Sequence, residues 1–126
     1  MRNESFYMKE ETYKVIGLCM EVHKVLGKGH SEAVYAEALE YEFNQNNIPY
    51  EREKSYHIYY KDIRLSKFYY ADFVVFGDLI IELKAISELS SKEVKQVLNY
   101  LAASKNKLGL LVNFGEDSLA YKRIIL

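Results

Sequence analysis

The sequence predicts an α/β sandwich, a central mixed sheet flanked by helices in the order α-α-β-β-β-α-β-β. Two observations carry this. The chain opens with two stretches of helical periodicity and continues with alternating or wholly apolar runs. A lone amphipathic stretch then splits those runs three to two, a pattern that calls for a mixed sheet with helices packed on it.

From Glu11 to Leu26, Val15, Cys19, Val22 and Leu26 recur at spacings of four, three and four, with Leu18 and Val25 alongside. This is an amphipathic helix. "GKGH" supplies two glycines, which stop it near Gly27. Ser31 is placed to cap a second helix running to about Asn46, with Val34, Tyr35, Ala38 and Leu39 as its buried stripe and Glu37, Glu40 and Gln45 outside. "YEREKSYHIYY" alternates and is rich in aromatics, as a strand should be, and "KDI" follows it as a hairpin turn. A second strand runs from about Leu65 to Phe76, Gly77-Asp78 turns, and "LIIELKAI" completes an antiparallel meander. "SELSSKEVKQVLNYLAAS" is a helix that Ser90 or Ser91 can cap, its inner face made by Val94, Val97, Leu98 and Leu101. "KLGLLVNF" reads as a strand buried on both faces, and "LAYKRIIL" as the last strand.

The 126 residues fit a single domain, 1–126, large enough to bury a core. A net charge of −1 provides no overall basic field to hold nucleic acid non-specifically. The lone Cys19 excludes an internal disulfide, and no CxxC or Cys/His cluster offers a structural zinc site. "MRNESFYMKEETY" lacks the apolar core of a signal peptide and no run of 18 apolar residues exists, so the expectation is a cytoplasmic chain with no membrane partner. Twelve tyrosines and no tryptophan suit half-buried strands and helix faces, with base stacking the second reading.

"YYADFVVFGDLIIELKAI" raises a chemical question, because burying an uncompensated charge costs several kcal/mol or shifts its pKa. On a strand Glu82 and Lys84 share one face while Ile81, Leu83 and Ala85 take the other. The hairpin brings Asp72 level with Lys84 or Glu82, depending on register. Two carboxylates at close range repel each other, and a hard divalent cation relieves that repulsion while polarising a phosphate oxygen and acidifying bound water. A nearby lysine can orient that water or neutralise charge on the phosphate. A cross-strand salt bridge on a solvated face explains the same spacing. The triplet itself is cheap: Glu93-Val94-Lys95 repeats it on a helix, where residues two apart point about 200° from each other.

Asp72, then nine residues, then Glu82-Leu83-Lys84, then a helix carrying Gln96 and Tyr100, resembles the core of the PD-(D/E)XK nuclease superfamily. "GHSEAVY", Gly29 to Tyr35, is similar to the GxxExxY signature of one small bacterial and archaeal family assigned to that superfamily. The resemblance spans nearly the whole chain and implies a restriction-endonuclease-like fold. It makes Asp72 and Glu82 metal ligands for Mg²⁺ or Mn²⁺, with the main-chain carbonyl of Leu83 as a third, and Lys84 the catalytic lysine. Glu32 matches an acidic residue presented from a helix beside the sheet, and Gln96 and Tyr100 match the helix after the E-x-K strand. The usual proline before the aspartate is replaced by Ala71. The implied activity is phosphodiester hydrolysis in nucleic acid, with DNA the favoured partner.

Read without the resemblance, Glu32 continues the apolar stripe of its helix, where it could merely exploit the helix dipole. Gln96 and Tyr100 read first as packing. His23 is expected to bond the "GKGH" loop, and His30 and His57 to be exposed. Lys61, Arg64, Lys67, Lys92, Lys95, Lys122 and Arg123 could line a phosphate-binding surface or simply be solvated. Two rivals stand beside the enzyme: a non-catalytic nuclease fold that binds nucleic acid or a protein, and an assembly module whose tyrosine-rich strands form a homodimer interface.

Overall fold

The computed structural model describes residues 7–126. Within them lie α1 (Lys9–Leu26), α2 (Glu32–Gln45), β1 (Tyr50–Tyr60), β2 (Ile63–Val75), β3 (Leu79–Lys84), α3 (Ser91–Ser104), β4 (Leu108–Asn113) and β5 (Ala120–Ile125), in the expected order. The strands form one sheet in the order β1-β2-β3-β4-β5. The β1–β2–β3 meander is antiparallel, β3 and β4 are parallel, and β4–β5 is antiparallel. Crossing from β3 to a parallel β4 requires a connection long enough to return over the sheet, and α3 is that connection.

The sheet separates two cores. On one face α1 and α2 bury Val15, Cys19, Val22, Tyr35, Leu39 and Phe43 against Phe73, Val75, Leu79, Ile81 and Leu83. On the other, α3 buries Val97, Tyr100 and Leu101 against Ala71, Val74, Ile80 and Leu111. β4 contributes to both and is buried along its whole length, as its unbroken apolar run predicts. Burial also pushes the Cys19 thiol up to about 12, so it is a packing residue.

α1 ends at Gly27, whose φ of 69° favours glycine and whose N–H donates to the carbonyl of His23. Ser31 does precede α2 in extended conformation, but its side chain makes no capping bond. Tyr35 holds this end instead. Its hydroxyl donates to the Gly27 carbonyl at 2.5 Å and accepts from the His30 N–H at 3.2 Å, while its ring stacks on Phe114 at 4.5 Å. Val34, expected in the buried stripe, is 39% exposed; the stripe runs through Tyr35, Leu39 and Phe43, one step round the helix. His23 bonds the main-chain carbonyl of Glu116 at 3.0 Å, not the "GKGH" loop, because α1 lies against the β4–β5 connection. His30 is exposed, whereas His57 is half-covered by Phe68 and Arg64.

The β2–β3 turn is centred one residue earlier than expected. Phe76 and Gly77 both have positive φ, 54° and 72°, and the Asp78 N–H closes the turn on the Val75 carbonyl. β2 also starts earlier, at Ile63, so the β1–β2 hairpin is long and projects past β3, which pairs with β2 only from Phe73 to Val75. The tyrosines divide evenly: Tyr7, Tyr35, Tyr50, Tyr56, Tyr69 and Tyr100 are buried or half-buried, as packing requires, whereas Tyr13, Tyr41, Tyr59, Tyr60, Tyr70 and Tyr121 are exposed.

α3 begins with a capping box. The Ser90 hydroxyl accepts from the Lys92 N–H, and the Glu93 carboxylate accepts from the Ser90 N–H at 2.7 Å. Its close seat on β4 depends on Gly109, where a Cβ would stand 2.5 Å from Val97 Cγ1. No helix among the described residues is long and apolar enough to cross a membrane.

Candidate active site

The site forms where β2 and β3 part. Their register pairs Phe73 with Ile81, so counting on places Asp72 opposite Glu82, which resolves the register left open by the sequence. No ladder pair forms there. The Leu83 N–H donates instead to Asp72 Oδ2 at 2.7 Å, a side chain doing what the neighbouring strand does elsewhere. N–H and C=O of one strand residue leave by the same edge, so the Leu83 carbonyl faces this gap too.

β3 directs Glu82 and Lys84 to the α3 face, as strand alternation predicts, and Ile81 and Leu83 to the other core. Glu82 Oε2 lies 3.6 Å from Lys84 Nζ, with 6% and 16% of the two side chains exposed. A solvated surface pair is thereby excluded. Tyr100 donates to Glu82 Oε2 at 3.4 Å and accepts from Gln96 Nε2 at 2.9 Å, so α3 reaches the site through a two-residue relay. Glu82 Oε1 is buried with no hydrogen-bond partner.

Burial, and then the adjacent Asp72 carboxylate, push the Glu82 carboxyl up to about 8; Lys84 opposes this incompletely. Tyr100 is pushed above its ordinary value, first by burial and then by Glu82 and Asp72. Glu32 is raised by burial and by Asp72, with Lys84 pulling the other way, so its carboxyl lies within electrostatic reach of the site although the residue is exposed. It projects between two openings. One is a cleft of about 190 Å³ lined by Glu32, Ala33, Ala36, Arg52, Glu53, Asp72 and Leu83. The other is an open groove of about 730 Å³ that includes Glu32, Lys84, Lys92, Lys95 and Gln96.

The residues present suit a hard divalent cation: two opposed carboxylates, one with an orphaned buried oxygen, and a carbonyl edge in the same gap. Among the described residues no three His, Cys, Asp or Glu side chains gather at metal-binding distance, so a cation here would take its third protein oxygen from the main chain.

The structure thus brings Asp72, Glu82, Leu83, Lys84 and Gln96 together, with Glu32 at the rim. Asn113 and Gly115 escaped the sequence reading. Asn113 is fully buried; its amide donates to the Ile86 carbonyl at 2.9 Å and to Glu116, and its oxygen accepts from the N–H groups of Ile86 and Gly115. Phe114 N–H donates to the Lys84 carbonyl at 2.8 Å, and a Cβ on Gly115 would stand 2.2 Å from the Ile86 carbonyl oxygen. These bonds fix the main chain beside and just after Lys84. A polar residue and a glycine closing a wholly apolar strand were the available signal. Glu53, opposite Asp72 by the β1–β2 count, has a φ of 54° inside a strand, a strained conformation in the wall of the cleft.

A mixed five-stranded sheet with helices on both faces and a carboxylate pair at a strand divergence defines a restriction-endonuclease-like α/β protein. The crystal structure of SSO0001 is similar in fold, with a TM-score of 0.56 and 22% sequence identity over 74% of this chain and 48% of that one. The match thus spans about half of that protein's length. No curated protein matches the chain. Residues 9–124 match the model of the PD-(D/E)XK nuclease superfamily, and the chain belongs to that superfamily. Nucleases of this class typically use divalent metals.

Proposed function

We propose that this chain is a divalent-metal-dependent phosphodiesterase that hydrolyses nucleic acid internally, with DNA as the favoured substrate. The observation that carries the reading is the buried Glu82 carboxylate facing Asp72 with one oxygen unpartnered. Such an arrangement is costly for a scaffold, and a bound cation would offset that cost by pairing with the orphaned oxygen.

In this reading Asp72, Glu82 and the Leu83 carbonyl hold Mg²⁺ or Mn²⁺. The bound ion would supply Lewis-acid polarisation of a phosphate oxygen and acidify water. Lys84, held beside Glu82 and backed by the Asn113 bonds, orients the attacking water and offsets charge growing on the phosphate. Tyr100 and Gln96 fix the orientation of Glu82. Glu32, from the rim, completes the polar shell by hydrogen bonding or by helping to hold a second ion. The motif Gly29-x-x-Glu32-x-x-Tyr35 supports assignment to the GxxExxY family. Tyr35 clamps the loop before α2 and so holds Glu32 at the rim.

The test is cleavage of labelled single-stranded, duplex and branched DNA, and of RNA, with Mg²⁺ or Mn²⁺, by the native chain and by Lys84→Ala. Metal-dependent cutting that Lys84→Ala loses supports the mechanism. Equal cutting by both removes it, and no cutting together with no Mn²⁺ binding moves the chain to the non-catalytic fold.

A further inference from the structure

We infer that the projecting β1–β2 hairpin is a binding surface for an unpaired nucleic-acid strand, which it stacks through Phe68 and Tyr70 and feeds toward Asp72. The inference rests on the reading that the substrate is nucleic acid and adds which form of it the molecule grips.

The hairpin has two unlike faces. Tyr69 meets Tyr100 of α3 at 5.5 Å, so one face is covered. Neighbouring strand residues point to opposite sides, so Phe68 and Tyr70 point away from α3. They touch each other at 5.2 Å, and His57, the register partner of Phe68, joins them at 5.3 Å. Phe68 and Tyr70 are 40% and 55% exposed, an aromatic platform that no described element covers.

Its charge selects the occupant. Lys54 is paired with Glu51 at 2.7 Å, and beyond that pair residues 55 to 70 carry Lys61, Arg64 and Lys67 against the single carboxylate Asp62, with Arg64 bonded to His57 of the platform, in a chain whose net charge is −1. Basic residues interleaved with exposed aromatics suit a polyanion with accessible base faces. The same charge repels a second copy of the hairpin. In a duplex the base faces are already stacked on one another, so only an unpaired strand can use these rings.

The platform is also continuous with the cleft. Arg52 and Glu53 of β1 and Asp72 of β2 line that cleft. At about 3.3 Å per residue, Tyr70 lies about 7 Å and Phe68 about 13 Å along the strand from Asp72. A strand stacked on these rings therefore arrives at the carboxylates.

The test is fluorescence anisotropy of a labelled oligothymidylate and a labelled blunt duplex of equal length with the full chain in EDTA, where no cutting occurs. The result is therefore independent of whether the carboxylate site is catalytic. Phe68→Ala and Tyr70→Ala should each weaken single-strand binding about fivefold or more and duplex binding less than about twofold. Both side chains are exposed, and an unchanged thermal melt checks that the variants fold. Lys61→Ala with Lys67→Ala should weaken both ligands and flatten the salt dependence. Three outcomes overturn the inference: no single-strand binding by the native chain, equal losses on both ligands, or a native dimer that Phe68→Ala and Tyr70→Ala convert to monomer.

Discussion

The chain contains the triplet Glu-x-Lys twice, and the two copies have unlike fates. On β3, Glu82 and Lys84 emerge from one face, are covered, and lie 3.6 Å apart beside a second carboxylate. On α3, Glu93 turns back to cap its own helix through Ser90, and Lys95 is exposed. The residues are the same and the secondary structure differs. A strand period of two aligns the pair, and a helix period of 3.6 splits it. Their neighbours then separate the copies further, although both glutamates are buried. Glu82 is pushed up to about 8, whereas the hydrogen bonds from Ser90 hold Glu93 below its ordinary value.

The sharpest way to break the comparison is to remove each lysine in turn. Lys84→Ala should lower the rate of metal-dependent cleavage by about 10²-fold or more, since it deletes a preorganised charge in a water-poor site. Lys95→Ala, in the open groove, should change the cleavage rate by less than about fivefold, chiefly through KM at low salt. Comparable losses would mean that the triplet on β3 has no special standing.

That contrast also explains what could be read from the sequence. The helices, the meander and the buried β4 were legible because each rests on a local period or an unbroken apolar run, and so was the sharing of a face by Glu82 and Lys84. The position of Asp72 was not, because it depends on where the β2–β3 turn centres. The turn took Phe76 at positive φ, a place where glycine is the expected residue. Gln96 and Tyr100 read as packing because their link to Glu82 spans a crossover, and sequence periodicity carries no information across it. The Asn113 bonds were hidden for the same reason: they join residues 27 apart in the chain. Ser31 shows the opposite failure, a sound local signal whose side chain makes no bond because Tyr35 holds that loop from above.

A second contrast concerns the cost of each glutamate. The unfolded Glu82 carboxyl titrates near 4.5 and the folded one near 8, so the native state keeps a proton that the unfolded chain releases between those values. The stability this supplies is whole below pH 4.5 and is lost as pH rises through 8. The metal-free protein should therefore melt at lower temperature at pH 8 than at pH 5. Glu82→Gln should flatten that slope and raise the pH 8 melting temperature by several degrees while removing Mn²⁺ binding in a calorimetric titration. Saturating Mn²⁺ should stabilise the native chain more at pH 8 than at pH 5, because the ligand must be deprotonated. A pH-independent melt in the native chain would mean that Glu82 is not the strained group described here.

The smallest expected effect belongs to the other copy. Ser90→Ala removes the hydroxyl that accepts the Lys92 N–H and leaves the Glu93 carboxylate without one of its two Ser90 donors. The expected cost is about 1 kcal/mol, or roughly 3–5 °C in melting temperature for a domain of this size. Because α3 carries Gln96 and Tyr100 on turns past the cap, seated by the close approach of Val97 to Gly109, loosening its first turn should leave the relay to Glu82 in place. Mn²⁺ affinity should therefore change by less than about twofold. A large loss of metal binding in Ser90→Ala would instead mean that the cap and the site form one cooperative unit, and the two copies of the triplet would then be linked through the helix that separates them.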